Sequence, residues 1–436
     1  MNEWRNWAGD QVCRPAEIER PRDAKSVVEA IDRAKNRGLK VRVAGSGHSF
    51  NGSVLTDGLL LSLERMNHLL DVDQSTGFVR VEAGITLRAL NEVLAANDLA
   101  LENLGDIDHQ SIAGATATGT HGTGGRFRNL SAVLHSLELV TADGSVLELN
   151  EANDADAWRA ARINLGALGV VTAMTLRAVP AFTLKGVDDT RRLEDVMEHI
   201  DELIDSNEHF EFYNFPHSPL AITRSNNRVD GHPRPRSRAR AWLTDVLLNN
   251  HTLDVACRAG RRFPSRIPAI NRTESRLAGR HVRIDRSDRV FATVRRVRFT
   301  EMEYALPRAA AAEAVTAVRR AVAEGRFDVP LPMEVRFVAA DDAYLSPSEG
   351  RDTCYVAVHM FEKMDWRTYF RAVEDIMIGL GGRPHWGKRH FRSVQNLRLL
   401  YPHWDRFAAV RARLDPSGMF TNAYIERVLG PPPGAG

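Results

Sequence analysis

The chain has 436 residues, 43% of them hydrophobic and 26% charged, and its net charge is +2. That length suits two domains, or one domain with a large insert, and the apolar content is enough for a sizeable core. Near-neutral charge argues against nucleic-acid or membrane binding, and no apolar run approaches the roughly 20 residues of a membrane-spanning helix.

The three scattered cysteines, Cys13, Cys257 and Cys354, form neither a CxxC pair nor a metal spacing, which points to a reduced, cytoplasmic setting. The opening MNEWRNWAGD lacks the apolar centre of a secretion signal. In chain order, SVVEAIDRAKNRG sets Val27, Ile31 and Ala34 at helical spacing and stops at Gly38. LKVRVAG alternates Leu39, Val41 and Val43 at strand period, and FVRVEAG reads as a second strand. LRALNEVLAANDLAL carries Leu87, Leu90, Val93 and Leu94 on one helical stripe. LHSLELVTADGSVLEL predicts a hairpin about ADGS, and LGVVTAMTLRAV a strand closed by Pro180.

Residues 225–290 are rich in arginine and poor in clear strands. GHPRPRSRAR reads as a solvated loop, with a basic docking surface as the alternative. Alternation returns in RVRFTEMEYALPR, MEVRFVAAD and CYVAVHMFEK, with a helical pattern in RAAAAEAVTAVRRAVAEG. The tail GPPPGAG is expected to fray. The pattern predicts an α+β chain: a first domain over 1–180 and a second over 181–395.

VRVAGSGHSF raises the question of a dinucleotide-binding turn. A Rossmann fingerprint needs a third glycine and a helix opening at the loop. Here Phe50 takes the third position, and NGSVLTDGLLLSL reads as turn and strand. The loop can still cradle phosphate, because successive free backbone N–H groups form an anion nest and glycine lets the backbone approach closely. SIAGATATGTHGTGG, almost all small residues, suits a backbone laid against a flat or phosphorylated ligand.

VRVAGSGHSFN, LALENLGDIDHQSIAGATATGTHGTG, LGALGVV, MEVRFVAADDAYLSPSEGRDTCYVAVH and RPHWGKRH follow one another in this order. Together they resemble the aldonolactone oxidoreductases of the vanillyl-alcohol-oxidase flavoprotein superfamily. That group includes sugar-1,4-lactone oxidases, gulonolactone dehydrogenases and alditol oxidases. The likeness is strongest to the actinobacterial L-gulono-1,4-lactone dehydrogenases and covers nearly the whole chain. It implies a two-domain PCMH-type FAD-binding fold, in which a cap domain of antiparallel sheet covered by helices contacts the substrate. Residues 396–436 would return to the FAD domain. It also implies FAD bonded covalently through His48. The cradle would comprise Val43, Ala44, Gly45, Ser46, Gly47, His48 and Ser49, then Gly105 and Asp106. Ser111, Gly114, Thr118, Gly119, His121 and Gly122 would follow, with Val170 and Lys388.

On the substrate side, strand period puts Glu334 and Arg336 on one face of MEVRFV, and Tyr355, Ala357, His359 and Phe361 on one face of the following strand. A Glu–Arg pair on a strand is by itself commonly structural. The resemblance implies that Glu334, Arg336, His359 and Lys388 face the substrate, with Arg336 and Lys388 favouring alkoxide character. Alditol oxidases carry serine and threonine where this chain has Asp106 and Phe361, so a ring lactone against a flat phenyl wall is favoured over a linear polyol. Gly105 would leave the reactive flavin edge open to oxygen. The expected activity is oxidation of an aldono-1,4-lactone, with a peroxide-forming alditol oxidase as the alternative. The acceptor would be O2, a redox protein or a quinone. No metal site or serine–histidine triad is expected. A non-catalytic flavin module with an arginine-rich docking face is the rival class.

Overall fold

The computed structural model describes residues 3–235, 237, 250–293 and 295–431. Its helices and strands begin where local chemistry allows. Helix Ala24–Asn36 opens with a capping box, in which Asp23 accepts from the Ser26 amide, and it buries Val27, Ala30, Ile31 and Ala34 along one stripe. Helix Leu87–Ala96 is capped by Thr86 and buries Leu87, Leu90 and Leu94.

Two cores follow. The first holds a three-stranded parallel sheet of Glu17–Glu19, Leu59–Ser62 and Val41–Ala44. Beside it lies a five-stranded antiparallel sheet in the order Val146–Leu149, Leu134–Val140, Val170–Arg177, Phe78–Glu82, Leu69–Asp73. Leu397, Tyr401, Trp404, Phe407, Phe420 and Ile425 bury their side chains in this same core, so the chain end packs on its beginning.

The second core is built on an eight-stranded antiparallel sheet. Its order is His281–Arg286, Thr183–Arg192, Leu220–Arg228, His209–Asn214, Met333–Val338, Thr353–Phe361, Phe299–Pro307, Arg383–Pro384. Helices Ala311–Gly325 and Arg367–Gly379 cover one face with Val315, Val318, Val322, Phe370, Val373 and Met377.

The arginine-rich middle is more regular than its apolar pattern suggests. It contains helices Thr252–Arg262 and Ile267–Leu277 and the strand His281–Arg286. Their buried positions are Cys257 and Gly260 in the first and Ile267, Asn271 and Ser275 in the second, mostly small or polar residues, which leave no apolar stripe to read. The loop expected over 231–240 falls partly outside the described residues, as do the last five residues of the tail. The three cysteines are unbonded.

Candidate functional site

A cleft of about 950 Å3 runs along the loop that follows strand Val41–Ala44. Val43 to Ser49 line it, with Ser111, Gly114 and Thr118 opposite. The glycines are there for space. A Cβ on Gly45 would stand 2.3 Å from Ser111 Oγ, and Gly47 has φ +71°, a left-handed conformation that glycine adopts freely. The amides of Ser46, Gly47, His48 and Ser49 donate to no described residue.

Arg42, fully buried, holds this wall in place. Its guanidinium donates to the carbonyls of Ser53 (2.8 Å), Gly166 (2.9 Å), Phe420 (2.7 Å) and Leu165 (2.8 Å). Burial lowers its pKa to about 10, which keeps it charged at neutral pH. The far end of the loop is tied to a distant segment, because Asn51 Nδ2 donates to the carbonyls of Trp386 (2.6 Å) and Lys388 (3.0 Å).

His48, Ser49, Gln110 and Thr118 line both this cleft and a second, adjoining pocket of about 780 Å3. The His48 ring stacks between Trp7 (centroids 5.8 Å apart) and His109 (6.3 Å). Burial, aided by His109 and Lys388, pushes its pKa down to about 4, so the imidazole is neutral and nucleophilic at pH 7.

The pocket is floored by the polar face of the eight-stranded sheet, and register explains why. Glu211 pairs with Arg336 and Tyr213 with Glu334; Arg336 pairs with Tyr355, and Glu301 with His359. Residues opposite one another in a sheet share a face, so these side chains all point one way. Their neighbours Phe210, Phe212, Val335, Phe337, Val356 and Met302 point the other way, into the core.

Two charge networks stand on that face. In one, Arg336 contacts Glu334, lies 2.7 Å from both Asp106 and Glu211, and shares Asp106 with Arg295 at 2.5 Å. Burial opposes charge on Asp106, but Arg336, Arg295 and Arg224 outweigh it and hold the carboxyl well below its usual range. Burial instead raises the pKa of Glu334, which has only partial compensation from Arg336. In the other, Lys388 Nζ sits 2.5 Å from Glu301 and over the Phe50 ring at 5.3 Å, while His359 Nε2 is 3.6 Å from Glu301. His121 lies 3.2 Å from Glu303 and stacks on Tyr355, with centroids 3.6 Å apart. The ligand atoms of His121, Glu303 and His385 fall within 4.8 Å of one another. His121 Nδ1 is bonded to the Gly122 carbonyl and His385 Nδ1 accepts from the Gly387 amide, so one nitrogen of each ring is already engaged by the backbone.

The structure thus brings Glu334, Arg336, His359, Lys388, Gly105, Asp106 and His121 to one pocket. It does not bring Gly119, Gly122 or Val170 to either cleft. Strand alternation turns Val170 inward and gives its expected place to Val171, with Gly169 beside it. Gly122 is needed for packing, since a Cβ there would stand 2.3 Å from Asn103 Oδ1 and 2.5 Å from the Leu104 carbonyl. Phe361 shares the polar face but packs with Phe50, Phe299, Val297 and Leu331, and Arg261 covers its ring at 5.3 Å. The apolar pocket wall is Phe50, Phe299 and Trp7. Glu301, Glu303, Arg295, His385 and Arg42 were not anticipated. Strand period in FTEMEYALP could have flagged the two glutamates; the others have no local signal.

A long cleft of small residues with unused amides, opening into a charged pocket beside a nucleophilic histidine, has the shape and donors that FAD requires. The protein is an FAD-dependent oxidoreductase, and an FAD binding domain profile matches residues 15–150. The chain belongs to the D-arabinono-1,4-lactone oxidase family, whose profile matches residues 174–428. It is 50% identical to L-gulono-1,4-lactone dehydrogenase of Mycobacterium tuberculosis, over 98% of this chain and 99% of that one. It is 34% identical to alditol oxidase of a Streptomyces species, over 97% of this chain and 98% of that one. Its fold is of the PCMH type: a solvent-stable cholesterol oxidase superposes with a TM-score of 0.83 at 18% identity, covering 99% of this chain and 97% of the other.

Proposed function

We propose that the protein oxidises an aldono-1,4-lactone, best L-gulono-1,4-lactone, at the hydroxyl-bearing carbon beside the ring carbonyl. The carrying observation is the balance of the pocket: Arg336, Arg295 and Lys388 each meet a carboxylate, in Asp106, Glu334 and Glu301. Such a surface offers many donors and acceptors and little free charge, which suits an uncharged polyhydroxy ring. Phe50, Phe299 and Trp7 supply the flat apolar side.

FAD, when bound, supplies the two-electron acceptor for the hydride. His359 Nδ1 is bonded to the Pro332 carbonyl at 2.9 Å, which fixes the ring with Nε2 turned into the pocket 3.6 Å from Glu301, and that atom is the one placed to exchange the hydroxyl proton. Lys388 and Arg336 stabilise negative charge on the oxygen as the proton leaves. Glu301 fixes the ammonium and Glu211 the guanidinium, so neither must reorganise during the reaction. His48 is the residue for covalent attachment to the flavin. Its burial, its neutral ring and its place where the two clefts join support that role.

Gly105 leaves room for O2 as an electron acceptor, with a quinone or redox protein as the alternative. Unbonded cysteines support a cytoplasmic location. Among the described residues no helix is long and apolar enough to cross a membrane. An alditol is the second reading, on the strength of the alditol oxidase relative. The test is anaerobic flavin bleaching by L-gulono-1,4-lactone, xylitol and sorbitol. Faster bleaching by the lactone supports the assignment; faster bleaching by xylitol replaces it with the alditol reading.

A further inference from the structure

The catalytic reading makes no use of the helical pair Thr252–Arg262 and Ile267–Leu277 or of the strand His281–Arg286 at the sheet's edge. The inner faces of the two helices rest on one underlying layer. Asn271 donates to the Val329 carbonyl at 3.0 Å, the Ser275 and Ser218 hydroxyls are 2.6 Å apart, and a Cβ on Gly260 would press on Ile267 and Pro330. Their outer faces therefore look away from that layer.

Those outer faces carry an unusual pair of features. Leu277, Val255 and Phe263 are 74, 64 and 55% exposed, and Val282 on the edge strand is 47% exposed. Four of the nine large apolar side chains exposed among the described residues thus fall between residues 255 and 282. Around them, residues 252–283 hold eight arginines and two carboxylates, in a chain whose whole net charge is +2. The near-neutral total hides a strong local asymmetry. Arg258 is paired with Asp254 at 2.7 Å, but Arg262, Arg266, Arg272, Arg276 and Arg280 meet no carboxylate among the described residues.

We propose that this face docks the protein peripherally on an anionic lipid surface, its arginines against lipid phosphates and Phe263, Leu277 and Val255 in the headgroup boundary. Charge complementarity selects an anionic partner. The interleaved apolar side chains select lipid over a soluble polyanion, because a polyanion would leave them facing water while an interface accepts both kinds of group. The protein would lie on the membrane rather than span it.

The test is flotation of the holoenzyme with vesicles of phosphatidylcholine alone and of phosphatidylcholine mixed with phosphatidylglycerol. Binding is expected only to the mixed vesicles, and it should be lost near 1 M salt, where the screening length falls to about 3 Å. Each arginine contributes about a fivefold factor near an anionic leaflet, so R266E/R272E/R276E should weaken partitioning by about a hundredfold or more. F263S/L277S should weaken it at least about tenfold at low salt. Both variants should keep their flavin spectrum and their rate of bleaching by substrate, because none of these residues lines the clefts. No flotation with anionic vesicles at low salt overturns the proposal. So does binding that the arginine variant abolishes and the apolar variant leaves intact, which would assign the face to a soluble acidic partner.

Discussion

Replacing Lys388 by methionine removes one half of a buried ion pair beneath the pocket. Lys388 Nζ is 2.5 Å from Glu301, whose side chain is almost fully enclosed. Burial works against charge on Glu301, yet Lys388 and then His359 hold its pKa down to about 2, against an ordinary 4.5. At about 1.4 kcal/mol per pKa unit, those partners contribute about 3 kcal/mol at neutral pH. Breaking a buried pair from one side costs a similar amount, about 3–5 kcal/mol. Because the folded-state pKa is depressed, the contribution is complete above the unfolded value and is lost as the pH falls from about 4.5 towards 2. Lys388→Met should therefore lose about 3 kcal/mol at pH 7, and this deficit should narrow in acid. Lys388→Met/Glu301→Gln removes the stranded charge and should recover most of the stability. Neither variant should recover the rate: losing one preorganised charge slows flavin reduction by about 100-fold or more. Chemical denaturation at pH 7 and pH 4 measures the first effect, and anaerobic stopped-flow reduction the second. Reduction within a few-fold of wild type would refute the assignment of Lys388. A double variant no more stable than the single one would refute the electrostatic account of Glu301.

Wild-type protein precipitated with acid should keep its yellow colour, whereas His48→Ala should release all of its flavin; quantitative release from the wild type removes the covalent assignment. Gly105→Ala should slow reoxidation by O2 and leave reduction by lactone nearly unchanged. The new methyl would stand 2.9 Å from the His121 carbonyl oxygen, so a small loss of melting temperature should accompany it, and unchanged reoxidation ends the gating argument. Arg42→Met removes the guanidinium from four carbonyls and leaves three of them, Leu165, Gly166 and Phe420, without a donor, while Ser53 keeps Asn422 Nδ2 at 3.2 Å. At about 1–3 kcal/mol for each buried group left unpaired, it should lose at least about 3 kcal/mol and bind flavin weakly; a melting curve and flavin content like those of the wild type would contradict this.

Much of the local structure was legible because it depends on near neighbours. The stripe Val27–Ile31–Ala34, the hairpin about Ala142–Ser145 and the alternation in MEVRFV each follow from a periodicity within one segment. The failure of VRVAGSGHSF to be a Rossmann turn was equally local, since a turn and the strand Leu59–Ser62 follow it, not a long helix. Family resemblance supplied FAD, which no spacing in the chain spells out.

What the chain alone did not yield were pairings between distant residues. Asp106 and Arg336 were each marked in the sequence, but nothing there paired them with one another or with Arg295; they meet because the strand Met333–Val338 lies beneath the loop that carries Asp106. Phe361 has the right strand parity for the pocket, yet Phe299, opposite it in register, is the ring that lines it. Periodicity reports which face a side chain takes. Which distant charge neutralises it, and so whether a buried arginine is catalytic equipment or a clamp on four carbonyls, is decided by long-range packing, because the energy of an ion pair depends on a separation that only the folded chain defines.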